Sequence, residues 1–303
     1  GHVPAYHQIA TRGLMDVFAL GDIALAVLLG LLIGSFLNVV IHRLPQMLEQ
    51  QWDAECAQHA APKAGKAYTP AAPALTLCRP RSRCPHCGHA IVWYENIPVL
   101  SWLALRGKCR GCSRRISIRY PLVELATAAL FAWCIHRWGF TPTGLAWCGF
   151  SAALLTLALI DWDTTYLPDD ITLPLVWSGL IVAALQWNSI ALSEALWGAV
   201  AGYLSLWLVY WGFKLLTGNE GMGYGDFKLF AGLGAWFGWQ ALVPLILLAS
   251  VIGAIVGIAM KLRSSLREGG YIPFGPFLAG GGFAVLFWGH DRIMRTLLQG
   301  LGI

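Results

Sequence analysis

Long apolar runs separated by short polar stretches make up most of the chain, with one much longer polar stretch in the first half. A helix that crosses the hydrocarbon core of a bilayer needs about 20 mostly apolar residues. The pattern therefore predicts an all-α polytopic membrane protein. The candidate runs are Ile23–Ile41, Leu125–His136 with an extension back to Tyr120, Thr143–Ile160, Ile171–Asn188, Ala195–Phe213, Leu229–Met260 and Tyr271–Gly289.

The run Leu229–Met260 is too long for a single crossing, because as one α-helix it would measure about 48 Å. The sequence Phe-Gly-Trp-Gln at 237–240 offers a break within it. We therefore predict two short spans on either side of this break, which brings the total to about eight transmembrane helices.

Composition supports the membrane interpretation and isolates one soluble segment. The chain is 57% hydrophobic and only 12% charged, whereas soluble domains carry about 25% charged residues. Residues 42–119 nevertheless hold twelve of the 21 Lys and Arg and only four of the 16 Asp and Glu. We predict a first transmembrane helix at 15–41, a basic soluble domain at 42–119 and a transmembrane core at 120–303.

Residues 1–14 lack the pattern of a signal peptide, so we interpret them as a cloning remnant or a disordered lead. Positively charged loops face the cytoplasm, which places the basic domain there. With eight spans in all, the loop with Lys261, Arg263 and Arg267 follows the seventh span and is also cytoplasmic. Asp161 and Asp226 then fall at cytoplasmic membrane boundaries.

Two C-x2-C pairs in the basic domain have the spacing of a metal site. Four thiolates from two such turns close a tetrahedral zinc site without an open position, which is typical of a structural zinc. A pair of disulfides is the alternative, but a reducing cytoplasm disfavours it. The four ligands are Cys84, Cys87, Cys109 and Cys112. We expect His86 and His89 to be bystanders and the other cysteines to be inert: Cys56, Cys78, Cys134 and Cys148.

Two aspartates end or begin apolar segments and are candidates for chemistry. Asp161 follows directly on the run Thr143–Ile160, and Asp226 follows Gly221, Gly223 and Gly225. Ionisable groups at span ends need a partner or a role. The two could be ordinary interface charges, a proton relay in a transporter, or a catalytic pair. The glycines favour catalysis, because they permit left-handed backbone or the close approach of a substrate strand.

If two carboxylates share a cleft of low dielectric constant, they cannot both ionise cheaply, so one holds a proton near neutral pH. The ionised carboxylate can then take a proton from water while the protonated one polarises a peptide carbonyl. The sequence shows neither G-x-S-x-G nor H-E-x-x-H, so no competing hydrolase motif is present. A metal-binding membrane adaptor without chemistry is a further alternative, and we expect no nucleic-acid partner.

Several motifs together resemble the bacterial type IV prepilin peptidases, which are GxGD-type intramembrane aspartyl proteases. The similarity covers nearly the whole chain from about Met15 onward. It is carried by the four-cysteine segment, "GSFLNVVIHRLP" at 34–45, "ENIP" at 95–98, "RYPLVEL" at 119–125, "LID" ending at Asp161, and "GYGD" ending at Asp226.

The resemblance implies a bacterial inner-membrane enzyme that removes the cytoplasmic leader of prepilins and type II secretion pseudopilins, cutting after a glycine before their hydrophobic helix. It implies Asp161 and Asp226 as the catalytic residues. Members with the four cysteines also methylate the new N-terminal residue, often phenylalanine, with S-adenosylmethionine. Substrate and membrane lipid are therefore the expected partners.

The resemblance further links Gly107 to methylation and assigns Gly223 and Gly225 to the loop that supports the active site. Glu124 is a candidate for holding the substrate's ammonium, although pairing with Arg119 or capping a helix is the preferred interpretation. Lys228 could orient the carboxylate of Asp226, but we expect it to snorkel to the interface. Two further acids are expected to N-cap the next helix: Asp169 and Asp170.

Overall fold

The computed structural model describes residues 5–60, 75–219, 221–262 and 272–300, with side chains described from residue 20 onward. Within these residues the chain is almost entirely helical. Two isolated antiparallel bridges form in residues 83–115, which we call the cysteine-rich segment. The helices are α1 (Ala5–Ala60), α2 (Leu100–Ala104), α3 (Arg119–Trp138), α4 (Pro142–Thr164), α5 (Asp169–Ala184), α6 (Leu192–Thr217), α7 (Tyr224–Phe237), α8 (Leu242–Leu262), α9 (Gly275–Trp288) and α10 (His290–Gly300). Short 3₁₀ helices form at Trp93–Asn96 and Trp239–Ala241.

The predicted all-α membrane fold is confirmed. Among the described residues, α1 and α3 to α9 each correspond to one of the eight predicted apolar segments. Four stretches in this part of the chain are long and apolar enough to cross a bilayer by themselves: Leu20–Ala60, Pro142–Thr164, Leu192–Thr217 and Trp239–Leu262. The helix α10 was not predicted.

The predicted break in the longest apolar run is also confirmed. Helix α7 ends at Phe237, and Gly238 follows with φ +79°, a backbone conformation that glycine adopts without steric cost. A 3₁₀ turn then leads into α8. The run is therefore two helices, as its length required.

The chain divides into two units, residues 1–152 and 153–303. In the first unit, α1 and α3 pack with their backbones in close contact. A Cβ at Gly30 would lie 2.5 Å from Ala128 Cα, and one at Gly34 would lie 2.7 Å from Glu124 Cα. Such close approach by small residues is typical of membrane helix pairs. The predicted domain boundary at residue 41 falls inside α1, which continues to Ala60.

In the second unit, α7 is the central helix, and its residues from Asp226 to Phe237 are almost all buried. Helix α6 reaches it through a glycine contact, since a Cβ at Gly198 would lie 2.2 Å from the Gly234 carbonyl oxygen. Helix α5 packs on another side, where Trp236 Nε1 donates to the Leu175 carbonyl at 2.9 Å. This packing fixes the N-terminus of α7, where Asp226 lies.

Candidate active site and metal-binding cluster

Asp161 lies in the last turn of α4 and is only 4% exposed. Its Oδ2 accepts a hydrogen bond from the backbone N–H of Gly275, the first residue of α9, at 2.9 Å. A buried carboxylate requires such a donor, because leaving it without hydrogen bonds carries a large desolvation penalty. Asp161 is thus held in place by an element more than a hundred residues away in the chain.

Asp226 lies in the first turn of α7 and is 5% exposed. Gly223 is the N-cap of that helix, and the Asp226 N–H donates to the Gly223 carbonyl at 3.2 Å. The N-terminal end of a helix carries partial positive charge, which stabilises a carboxylate placed there. The GYGD sequence therefore works as a helix start that presents one buried acid.

Leu167 lies close to a glycine beside each of the two aspartates. This buried leucine lies in the loop between α4 and α5. Its Cβ is 2.6 Å from the position a Cβ would take at Gly225, and its Cδ1 is 3.2 Å from that position at Gly275. The two carboxylates also interact electrostatically with each other. The structure thus brings together the two acids that the sequence analysis selected.

The expected role of the glycines before Asp226 is only partly supported. In the described residues, neither Gly223 nor Gly225 has a positive φ, so left-handed backbone is not their function. Gly225 instead leaves room for the Leu167 side chain, while a Cβ at Gly223 would make an ordinary 3.8 Å contact with Asp226 Oδ2. The segment that comes close to Gly225 is therefore the protein's own loop between α4 and α5.

Gly275 is a site residue that the sequence analysis missed. A Cβ there would lie 2.5 Å from Asp161 Oδ2, so the position admits no side chain while the carboxylate keeps its place. The pair Gly275-Pro276 is a recognisable helix start, because proline is favoured in the first helical turn. Nothing in that local signal, however, identifies Asp161 as its partner.

Lys228 forms an ion pair that the sequence did not predict, and its reach to the membrane interface stays a prediction. Its Nζ binds both carboxylate oxygens of Asp169, at 2.6 and 2.7 Å, and links α7 to the start of α5. The predicted N-cap role of Asp169 and Asp170 is wrong, because Pro168 is the N-cap and both acids lie inside the first turn. They still favour that helix end electrostatically.

The four predicted metal ligands form one cluster. Their Sγ atoms all lie within 4.8 Å of one another, with Cys84 to Cys112 at 3.8 Å and Cys87 to Cys109 at 3.9 Å. A tetrahedral site with Zn–S bonds of about 2.3 Å requires sulfur atoms about 3.8 Å apart. The four cysteines are free rather than paired in disulfides, so the residues fit a metal ion.

The thiols of this cluster differ in how readily they ionise, since burial and hydrogen bonds with the neighbouring thiols raise the pKa of Cys87 to about 11. The N–H groups of Cys87 and His86 hydrogen-bond the Cys84 sulfur and lower the pKa of that thiol to about 6. His89 and His86 have other partners, since His89 Nε2 lies 3.0 Å from Glu95 Oε2 and His86 Nδ1 lies 3.3 Å from an Arg114 nitrogen. Their positions agree with the bystander role expected for them.

Gly107 packs inside the cysteine-rich segment. Its φ is +66°, and a Cβ would lie 2.9 Å from the indole ring of Trp102, which itself donates to the Ile116 carbonyl at 3.3 Å. Gly107 is therefore required by backbone conformation and by the neighbouring ring. This gives a structural account of a residue that the resemblance linked to methylation.

We expect Gly107→Ala to lower the thermal unfolding temperature more than Gly88→Ala does. Both positions have positive φ, which costs an alanine about 1 kcal/mol or more, but only Gly107 has a ring in the way, since Gly88 has nothing within 4 Å. Differential scanning fluorimetry and metal content measure the effect. Equal unfolding temperatures, with methylation lost only in Gly107→Ala, would contradict the structural role.

Glu124 lies on α3, is buried, and accepts a hydrogen bond from the Val99 N–H at 2.7 Å. The Asn38 amide nearby donates to the Tyr120 carbonyl at 3.0 Å. The motifs at 34–45 and 119–125 are thus in contact, and Glu124 joins them to Val99, the residue directly after the motif at 95–98.

Apolar helices that bury two neighbouring carboxylates fit a membrane-embedded protease of the aspartyl class. Comparison with known families agrees. Residues 28–138 match the bacterial peptidase A24 N-terminal domain, and residues 148–258 match the type IV leader peptidase family. The chain belongs to this peptidase family.

Curated relatives are similar over almost their whole length, and each is named prepilin leader peptidase/N-methyltransferase. A Burkholderia pseudomallei protein is 52% identical over 88% of this chain and 86% of its own. A Pseudomonas aeruginosa protein is 51% identical over 95% and 99%, and a Stutzerimonas stutzeri protein is 50% identical over 90% and 93%. No solved structure matches the chain.

Proposed function

We propose that this chain is a membrane-embedded aspartyl endopeptidase that removes the leader of prepilins and pseudopilins, cutting after a glycine. The observation that carries the proposal is that Asp161 and Asp226 are both buried and lie around Leu167, near enough for the charge of one to act on the other. Family membership and the names of the relatives support the same activity. Nothing in these comparisons supports a proton-coupled transporter.

The pair supplies the proton transfers that peptide hydrolysis needs. One carboxylate takes a proton from water as the water oxygen adds to the scissile carbonyl carbon, while the protonated partner donates a hydrogen bond and then its proton to the carbonyl oxygen. When the C–N bond of the gem-diol intermediate breaks, the first carboxyl gives its proton to the leaving nitrogen and the second carboxylate takes a proton back from a gem-diol hydroxyl. The products are a free carboxylic acid on the leader and a free amine on the mature pilin.

We propose that the four cysteines hold one structural zinc ion and that the new amine is then methylated with S-adenosylmethionine. The sulfur positions suit zinc, and closing all four positions with thiolates leaves the metal a folding role rather than a catalytic one. The methyltransferase part of the relatives' names supports the second activity. We place the enzyme in the bacterial inner membrane, with the metal site and the aspartates on the cytoplasmic side.

The purified chain, reconstituted in lipid with a prepilin and S-adenosylmethionine, tests this function. We expect a product that begins immediately after the leader glycine and that is heavier by one methyl group only when the methyl donor is present. Mass spectrometry of the intact product reads both events. An uncut prepilin, or a cut elsewhere, would contradict the peptidase proposal.

A further inference from the structure

The cysteine-rich segment exposes an apolar edge that none of the activities above uses. Around its 3₁₀ helix and α2, the most exposed large apolar side chains are Trp93 at 80%, Leu100 at 65% and Leu103 at 57%. Ile97 in the connecting turn is exposed as well. We call these four residues the insertion edge. Exposed apolar side chains in one short stretch mark a surface that contacts lipid or a partner.

The depth of this edge follows from the packing of α3 on α1. Glu124 lies opposite Gly34, Tyr120 opposite Asn38 and Ala128 opposite Gly30. Gly34 is seven residues inside the uncharged run that ends at Ile41, which corresponds to about 10 Å along the helix. Glu124 is therefore at the level of apolar, lipid-facing positions of α1, away from its charged end.

The bond between Glu124 and Val99 places the start of α2, next to the insertion edge, at that level. Val99 is the N-cap of α2 and has φ +58°, an unfavourable backbone conformation for a β-branched residue. The 2.7 Å hydrogen bond to the buried carboxylate holds it there. Leu100 comes next in the chain, at a depth where α1 exposes its own apolar side chains Leu32 and Phe36.

The charge of the residues around the insertion edge indicates which kind of surface the edge contacts. Residues 75–119 contain nine Lys and Arg but a single acid, Glu95. Arg106 and Lys108, directly after α2, are exposed. Basic residues next to a membrane are attracted to anionic headgroups, at about 1 kcal/mol each. Tryptophan is favoured at the boundary between headgroups and hydrocarbon.

We propose that the insertion edge dips into the lipid bilayer, so that the metal-binding segment is seated in an anionic leaflet. Leu100 and Leu103 lie in the outer part of the hydrocarbon layer, and the neighbouring basic side chains contact headgroups. Glu124 is the positioning residue that sets this depth through Val99. A water-soluble partner is disfavoured, because it would have to enter the apolar layer to reach the edge.

Depth-dependent quenching tests this proposal in the full chain. A fluorescent amino acid is introduced in place of Leu103, and in a second protein in place of Leu100, in nanodiscs that contain anionic lipid. Exposed Cys78 is the control position, because the adjacent carbonyls of Thr76 and Leu77 bind Arg43, beyond the end of the uncharged run. The quencher is a lipid with a nitroxide near the top of its acyl chain.

We expect the nitroxide lipid to reduce fluorescence at least twofold at positions 103 and 100 and to leave position 78 almost unchanged. Replacing the anionic lipid with a zwitterionic one should weaken the quenching. Equal quenching at all three positions would overturn the proposal. Loss of the quenching at positions 100 and 103 when a membrane-embedded prepilin is present at saturating concentration would also overturn the proposal, because the edge would then be a substrate surface. None of these results depends on peptidase activity.

Discussion

Replacing Asp161 or Asp226 with asparagine is expected to abolish leader cleavage while leaving a folded protein. Asparagine keeps the size of the side chain but can neither take the proton from water nor donate a carboxyl proton. Loss of an essential general acid or base slows a reaction by about 10²- to 10⁴-fold. The rate of prepilin processing, followed by the change in product mass, measures the effect.

Asp163→Asn is the matched control for these variants. Asp163 is two residues beyond Asp161 on the same helix but is exposed, whereas Asp161 is buried. We expect it to cleave at nearly the wild-type rate with the same unfolding temperature. If Asp161→Asn cleaved as fast as this control, Asp161 could not be a catalytic residue.

Gly275→Ala should produce the next largest loss of activity. The added methyl group would lie 2.5 Å from Asp161 Oδ2, so either the carboxylate or the start of α9 must move. A displacement of about 1 Å in a reacting group can cost about 100-fold in rate. We expect kcat to fall by that order while KM changes little, because the substrate's apolar helix still finds the same membrane surface.

Gly280→Ala provides the comparison within the same helix. Gly280 is exposed on α9 and a Cβ there would meet nothing within 4 Å. Alanine is a better helix former than glycine by about 1 kcal/mol, so this variant should keep full activity and unfold no earlier than wild type. Equal activity of the two variants would show that the contact between Gly275 and Asp161 does not position the carboxylate.

The order and type of the long apolar helices could be predicted, because the length of an apolar run indicates whether it can cross a bilayer. Even the division of the longest run followed from its length and from the glycine at 238. The cluster of the four cysteines could be predicted equally well, because two C-x2-C turns specify their own geometry. These features depend on neighbours in sequence, and a single sequence contains that information.

Contacts between distant segments could not be predicted in the same way. The bond from Gly275 to Asp161 joins residues 114 positions apart, and the ion pair of Lys228 with Asp169 joins residues 59 apart. Both contacts depend on how the helices pack against each other, and apolar periodicity does not specify that packing. The glycines before Asp226 were similarly ambiguous, because a glycine can serve a turn, a substrate or, as at Gly225, a neighbouring side chain.

The most direct measurement of the central claim is the cleavage rate of the double variant Asp161→Asn/Asp226→Asn beside the two single variants. Residues that act as one catalytic unit lose nearly all their effect when either is removed. We therefore predict that the double variant cleaves prepilin no more slowly than the slower single variant. A further drop in the double variant, equal to the product of two independent losses, would show that the two aspartates do not act on the same peptide bond as a pair.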